Sequence, residues 1–138
     1  MSVKTLRRPP KILVVDDEAA LRRAMCVALA ATGFVVEEAR TGEEALEAIR
    51  DHRFELVLLD LNMAGLSGIE TCRHIRSFAP RAGIVIFTAR DDVEDKIRAL
   101  DAGADYYVTK PCRFRKLKAH LEAVLRRTQS DLSEEPGS

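Results

Sequence analysis

Asp60 closes the run Phe54-Glu55-Leu56-Val57-Leu58-Leu59-Asp60, an apolar segment rich in branched residues that then passes into the loop-like Leu61–Gly68. Other apolar runs also end on residues able to do chemistry. Asp16 and Asp17 follow Ile12-Leu13-Val14-Val15, Thr88 follows Ile84-Val85-Ile86-Phe87, and Lys110 follows Tyr106-Tyr107-Val108-Thr109. Each has a bland reading when taken singly. Asp is a common turn former, Asp17 could cap a helix, and Lys110 could be an ordinary surface cation. Parallel strands, however, put all their carboxyl ends on one edge, where open α/β sheets bind ligands. Three carboxylates would then share one crevice and repel one another unless a cation joins them. Oxygen donors without His or Cys suit Mg²⁺ or Mn²⁺. A divalent ion, an ammonium and a hydroxyl are what a phosphoryl group needs around it.

The elements that position these residues follow from periodicity. A first strand over Ile12–Val15 leads to a helix from Ala19, with Leu21, Met25, Ala28 and Leu29 on one face, Arg22 and Arg23 off it, and Gly33 as its stop. Phe34–Glu37 reads as a weaker strand. Thr41-Gly42-Glu43-Glu44 has capping-box spacing and opens a helix with Ala45, Leu46 and Ile49 inward. The Asp60 strand is third. Ile69, Cys72 and Ile75 recur at helical spacing, and Pro80 and Gly83 end that helix and its connection. After the strand ending at Thr88, a helix over Asp91–Ala102 carries Val93, Ile97 and Leu100 on one face. After the strand ending at Thr109, a last helix spans about Arg113–Arg127 with Leu117, Leu121, Val124 and Leu125 on its apolar side. Residues 1–10 read as a disordered basic arm and 128–138 as a polar tail or the start of a linker. Five strand–helix alternations imply an α/β fold, a doubly wound parallel sheet with helices on both faces.

A chain of 138 residues with 46% hydrophobic residues suits one domain with a real core. Lys+Arg and Asp+Glu both number 22, so the formal charge is zero, which argues against a nucleic-acid grip spread over the whole surface. The three cysteines, Cys26, Cys72 and Cys112, lack zinc-ligand spacing. Cys26 and Cys72 fall in apolar helical patterns, as buried thiols of a reducing cytoplasm would. No stretch is apolar enough to span a membrane, and the first ten residues are no secretory signal.

Taken in order, Ile12–Glu18, the Asp60–Gly68 loop, Thr88-Ala89, and Gly103-Ala104-Asp105 leading to Tyr107-Val108-Thr109-Lys110-Pro111 resemble the receiver domains of two-component response regulators over residues 11–127. The resemblance implies a five-stranded flavodoxin-like sheet of order 2-1-3-4-5. It implies that Asp60 accepts a phosphoryl group from a sensor histidine kinase. Asp17, Asp60 and the backbone carbonyl of Asn62 would bind Mg²⁺, with Asp16 assisting through water. Lys110 would pair with the phosphoryl oxygens, Thr88 would move inward and Tyr107 would rotate behind it. Lys110-Pro111 would be cis.

Such a domain would be a signalling switch rather than an enzyme on external substrates, passing its change to an output domain or protein partner. An aspartyl-phosphate phosphatase of the haloacid-dehalogenase kind wants a second Asp where Asn62 stands. A flavin or nucleotide module wants a phosphate-cradling loop in place of Asp16-Asp17-Glu18. A degenerate receiver that serves only as an interaction module would not need the intact acidic set.

The chain departs from the family at Ala64, where Pro is usual, and at Cys112, where Phe is common. It is nearest in character to receivers of winged-helix regulators, which pair through the fourth helix, fifth strand and fifth helix. There Tyr106 replaces Asp, Lys116 replaces Glu and His120 replaces Arg. Lys96 would then meet Lys116 as a like charge, which implies a monomer or weak dimer. His52 and His74 fall outside the constellation.

Overall fold

The computed structural model describes residues 8–63 and 65–133. Among them five strands alternate with five helices. These are β1 (Lys11–Val15), α1 (Ala19–Ala31), β2 (Val35–Ala39), α2 (Gly42–Asp51) and β3 (Leu56–Leu59). They continue as α3 (Gly68–Phe78), β4 (Gly83–Thr88), α4 (Val93–Asp101), β5 (Tyr106–Thr109) and α5 (Phe114–Ser133). The sheet is parallel throughout, in the order β2-β1-β3-β4-β5.

Strand alternation sorts the core into two layers. Leu13, Val15, Val57, Leu59, Ile84 and Ile86 meet α2, α3 and α4 through Ala45, Ile49, Cys72, Ile75 and Ala99. Ile12, Val14, Leu56, Leu58, Val85 and Phe87 meet α1 and α5 through Cys26, Leu29, Leu117, Leu121 and Val124. Each fully buried Leu or Ile contributes roughly 1.5–3 kcal/mol. No buried side-chain nitrogen or oxygen among the described residues lacks a hydrogen-bond partner. Gly83, expected in the connection, begins β4 instead. A Cβ there would meet Val124 Cγ1 at 2.6 Å and Leu56 Cδ2 at 2.9 Å, so its bareness lets α5 lie close on the sheet.

Several sequence expectations are corrected. The basic arm is anchored at its end: Pro10 is buried and its carbonyl accepts from Val35 N at 2.9 Å, while residues 1–7 lie outside the described residues. The second strand starts at Val35, because Phe34 turns into the core ahead of it. The last helix runs on to Ser133, six residues into the segment read as a tail, since no Gly or Pro interrupts it before Pro136. Residues 134–138 and Ala64 fall outside the described residues.

Two helix faces also differ. Arg22 is buried, on the same i, i+4, i+7 face as Cys26 and Leu29. On α4 the apolar stripe faces outward: Val93, Ile97 and Leu100 are 66%, 53% and 48% exposed. The buried face carries Asp95 and Ala99. Small residues at that spacing let α4 approach α3 closely enough for Cys72 Sγ to sit 4.0 Å from the Ala99 carbonyl.

Candidate functional site

Register places the site. β1 pairs with β3 so that Val15 stands opposite Leu59, and the next residues, Asp16 and Asp60, emerge side by side. The Asp60 amide donates to the Val15 carbonyl at 3.0 Å. On the other side β4 pairs with β5, and the Lys110 amide donates to the Thr88 carbonyl at 2.7 Å. Four strand ends are thus fixed on one edge by backbone hydrogen bonds before any side chain acts.

The side chains then close the arrangement. Lys110 Nζ donates to Asp16 Oδ2 at 2.9 Å and to Asp60 Oδ2 at 3.1 Å, and lies 5.3 Å from the centre of the Phe87 ring. Asp16 and Asp60 are both buried, at 5% and 6% exposure. Their other oxygens are held by the chain's next turn: Asp60 Oδ1 accepts from Asn62 N and Asp16 Oδ1 from Glu18 N, each at 2.9 Å. Burial alone would lower the Lys110 pKa; the hydrogen bonds and charges of the two acids outweigh it, and the net effect is upward. The Lys110-Pro111 peptide is cis, in agreement with the sequence reading.

The other predicted residues take distinct places. Asp17 stands exposed at the rim, and α1 is capped at Glu18 rather than by Asp17. Thr88 is fully buried, and its hydroxyl accepts from Arg90 N at 3.4 Å. Tyr107 is half-buried and donates through its hydroxyl to the Arg90 carbonyl at 2.9 Å. Burial, reinforced by Asp95, pushes its phenol up. Asn62 is exposed and its side-chain oxygen accepts from Arg90 Nε.

Among the described residues no three His, Cys, Asp or Glu side chains form a ready cation cage. Two acids meet across one ammonium instead, which marks the spot as one that demands positive charge. By type, the donors the resemblance implies, Asp16, Asp17, Asp60 and the Asn62 carbonyl, are all oxygens, a chemistry that suits Mg²⁺ better than a softer ion. Such an ion would compete with Lys110 for Oδ2 of Asp16 and Asp60.

Three residues of the neighbourhood escape the sequence reading. Arg22 donates to the Asp16 carbonyl at 2.8 Å and to Glu38 Oε1 at 2.8 Å, bracing from below the turn that carries the acid. Arg90 ties Asn62 to buried Asp95, 3.6 Å from its guanidinium. Only the recurrence Arg22, Cys26, Leu29 hinted that Arg22 faces inward; nothing local announced Arg90 or Asp95.

A family model described as the response regulator receiver domain matches residues 12–122. The response regulator MprA of Mycobacterium sp. strain KMS is 44% identical over 123 residues, covering 89% of this chain and 54% of that protein. The chain thus spans about half the length of the curated relatives it matches. Among solved structures, a CheY-like receiver domain from Methanospirillum hungatei superposes with a TM-score of 0.87 at 28% identity, covering 89% of this chain and 98% of that one. The response regulator TrrA from Thermotoga maritima, in complex with Mg²⁺ and BeF, gives a TM-score of 0.77 at 35% identity, covering 83% and 98%.

Proposed function

This chain belongs to the response regulator receiver domains, and we propose that Asp60 is the residue on which it takes up a phosphoryl group. Domains of this family are phosphorylated on aspartate by histidine kinases in a Mg²⁺-dependent reaction, and the chain is a signalling domain of that kind. The observation that carries the assignment to Asp60 is the Lys110 ammonium held between Asp60 and Asp16.

An Asp60 oxygen attacks the phosphorus of the kinase's phosphohistidine. The new O–P bond forms as the P–N bond breaks, and the electron pair leaves with the imidazole. Lys110 shifts from carboxylate to phosphoryl oxygens, keeping a cation on the charge that moves. Asp17, Asp60 and the Asn62 carbonyl would hold Mg²⁺, with Asp16 beside them; Mn²⁺ fits the same donors. The ion supplies charge compensation for the transferred group. Thr88 turns its hydroxyl toward the new phosphate. Tyr107 leaves the Arg90 carbonyl and follows inward, a two-state change of the kind that alters a docking surface. The domain acts in the cytoplasm, chemically only on itself, and passes its state to an output domain or a protein partner. It uses no direct nucleic-acid contact.

Intact mass after incubation with acetyl phosphate and Mg²⁺ tests this. A phosphate-sized gain is expected for the wild type and none for Asp60→Asn. A gain retained in the variant would sink the assignment.

A further inference from the structure

The pole of the sheet opposite Asp60 carries a cavity of about 650 Å³ that the phosphoryl chemistry leaves unused. It opens between the ends of α2, α3 and α5 and the start of β3. Its floor is apolar, from the buried side chains of Ile49 and Phe54, and Phe78 stands at its edge 54% exposed. Among the described residues Arg8, Arg50, Arg53 and Arg81 line it, with two acids, Asp51 and Glu55.

Arg50 and Arg53 form no ion pair with these acids. Glu55 already pairs with Arg8 at 2.9 Å and accepts from Lys11 N at 2.7 Å. Arg50 lies over the Phe78 ring, 5.7 Å from its centre, and meets no carboxylate among the described residues. Arg53 has neither a hydrogen bond nor an ion pair among the described residues. Helix carboxyl termini meet at this pole and favour basic residues nearby. That explains why cations collect here. It does not explain guanidiniums that touch no carbonyl, set around an apolar floor. Arg76 is the residue that serves the local carbonyls, bonding those of Pro80, Ala82 and Gly103.

We propose that this cavity is a second ligand site, which takes a small aromatic phosphate of mononucleotide size: the ring on the Phe78–Ile49 side and the phosphate on Arg50 and Arg53. The volume falls within the range of small-molecule sites. Guanidinium is the cation best shaped to grip phosphate. The site is independent of Asp60, so a ligand there would be a second input to the same domain.

AMP is the probe, titrated by calorimetry into the whole chain, with adenosine and inorganic phosphate as its halves. AMP should saturate the protein with a dissociation constant of about 1 mM or tighter, and each half should bind at least about tenfold more weakly. Arg50→Glu with Arg53→Glu should weaken AMP about tenfold or more. Phe78→Ala should weaken AMP while leaving phosphate alone unchanged. All three side chains are exposed, so the variants should melt like the parent. Asp60→Asn should bind AMP as the wild type does. Absence of saturation, indifference to the charge reversal, or loss of binding in Asp60→Asn would each overturn the site.

Discussion

Lys110 and Arg22 hold the same acid from opposite sides, one by its carboxylate and the other by its carbonyl. A buried guanidinium with both of its partners fixed is costly to break, because its removal strands Glu38 and the Asp16 carbonyl. Glu38 is partly exposed and can rehydrate, so Arg22→Ala should lose about 2–3 kcal/mol in urea unfolding rather than the full value for a buried pair, and Arg22→Lys about half as much. The cysteines offer a second test. Burial first, helped at Cys26 by Glu38 and at Cys72 by Asp105, pushes both thiols from the ordinary 9.0 to about 11. Between those values the unfolded chain ionises its thiols while the folded chain keeps them protonated. Stability is therefore full below pH 9 and falls as pH rises toward 11, by of order 2–3 kcal/mol for fully buried Cys72. Cys72→Ala should flatten that alkaline slope. Iodoacetamide at pH 8 should label only half-exposed Cys112 in the native protein. Residue chemistry at the strand ends was legible because type and position agreed. Arg22 was not, because a charge on a helix reads as outward until its partners on β2 and the β1–α1 turn are known.

Elements show where periodicity informs and where it misleads. The strands, apart from where β2 and β4 begin, and the faces of α2, α3 and α5 read correctly because one stripe on each was clearly more apolar than any other. α4 carries two stripes at the same spacing, Val93, Ile97, Leu100 and Asp95, Ala99, Ala102, and packing room rather than hydrophobicity chose the second. Ile97→Lys should therefore change unfolding free energy by no more than about 0.5 kcal/mol, whereas Ala99→Leu should cost about 1–3 kcal/mol by overpacking against α3. The capping box of α2 was half legible. Thr41 accepts from Glu44 N at 3.1 Å, but Glu44 reaches back to Arg40 N rather than to Thr41. At the start of α3, a Cβ on Gly68 would collide with Leu61 Cα and come within 2.9 Å of the Asp60 carbonyl. Gly68→Ala should cost about 1–3 kcal/mol by thermal melt and slow phosphorylation, since relief requires moving the loop that follows the acceptor.

At the scale of the molecule, zero net charge conceals an uneven surface. α4 leaves Val93, Ile97 and Leu100 in solvent, and β5 adds Tyr106, its ring centre 4.5 Å from that of His120 of α5 and tilted by 32°. An apolar patch of this kind invites a partner, and a second copy of the chain is the first to consider. The charges beside the patch argue against a tight symmetric pair. Lys96 is held by Asp91 of its own chain at 3.1 Å and Lys116 is exposed; in the pairing that the resemblance implies, Lys116 would stand where a copy offers an acid. In a two-fold arrangement any mismatch occurs twice, so two lysine pairs would face each other across the interface, lowering affinity and association rate together. With Mg²⁺ and beryllofluoride bound, sedimentation should show monomer, or a dimer weaker than about 10 µM. Lys116→Glu replaces both repulsions with attractions and should tighten association about tenfold at low salt, an advantage that fades as salt screens it. A tight wild-type dimer through this face, insensitive to Lys116→Glu, would mean that the apolar stripe outweighs the charges and that the partner surface is self-complementary after all.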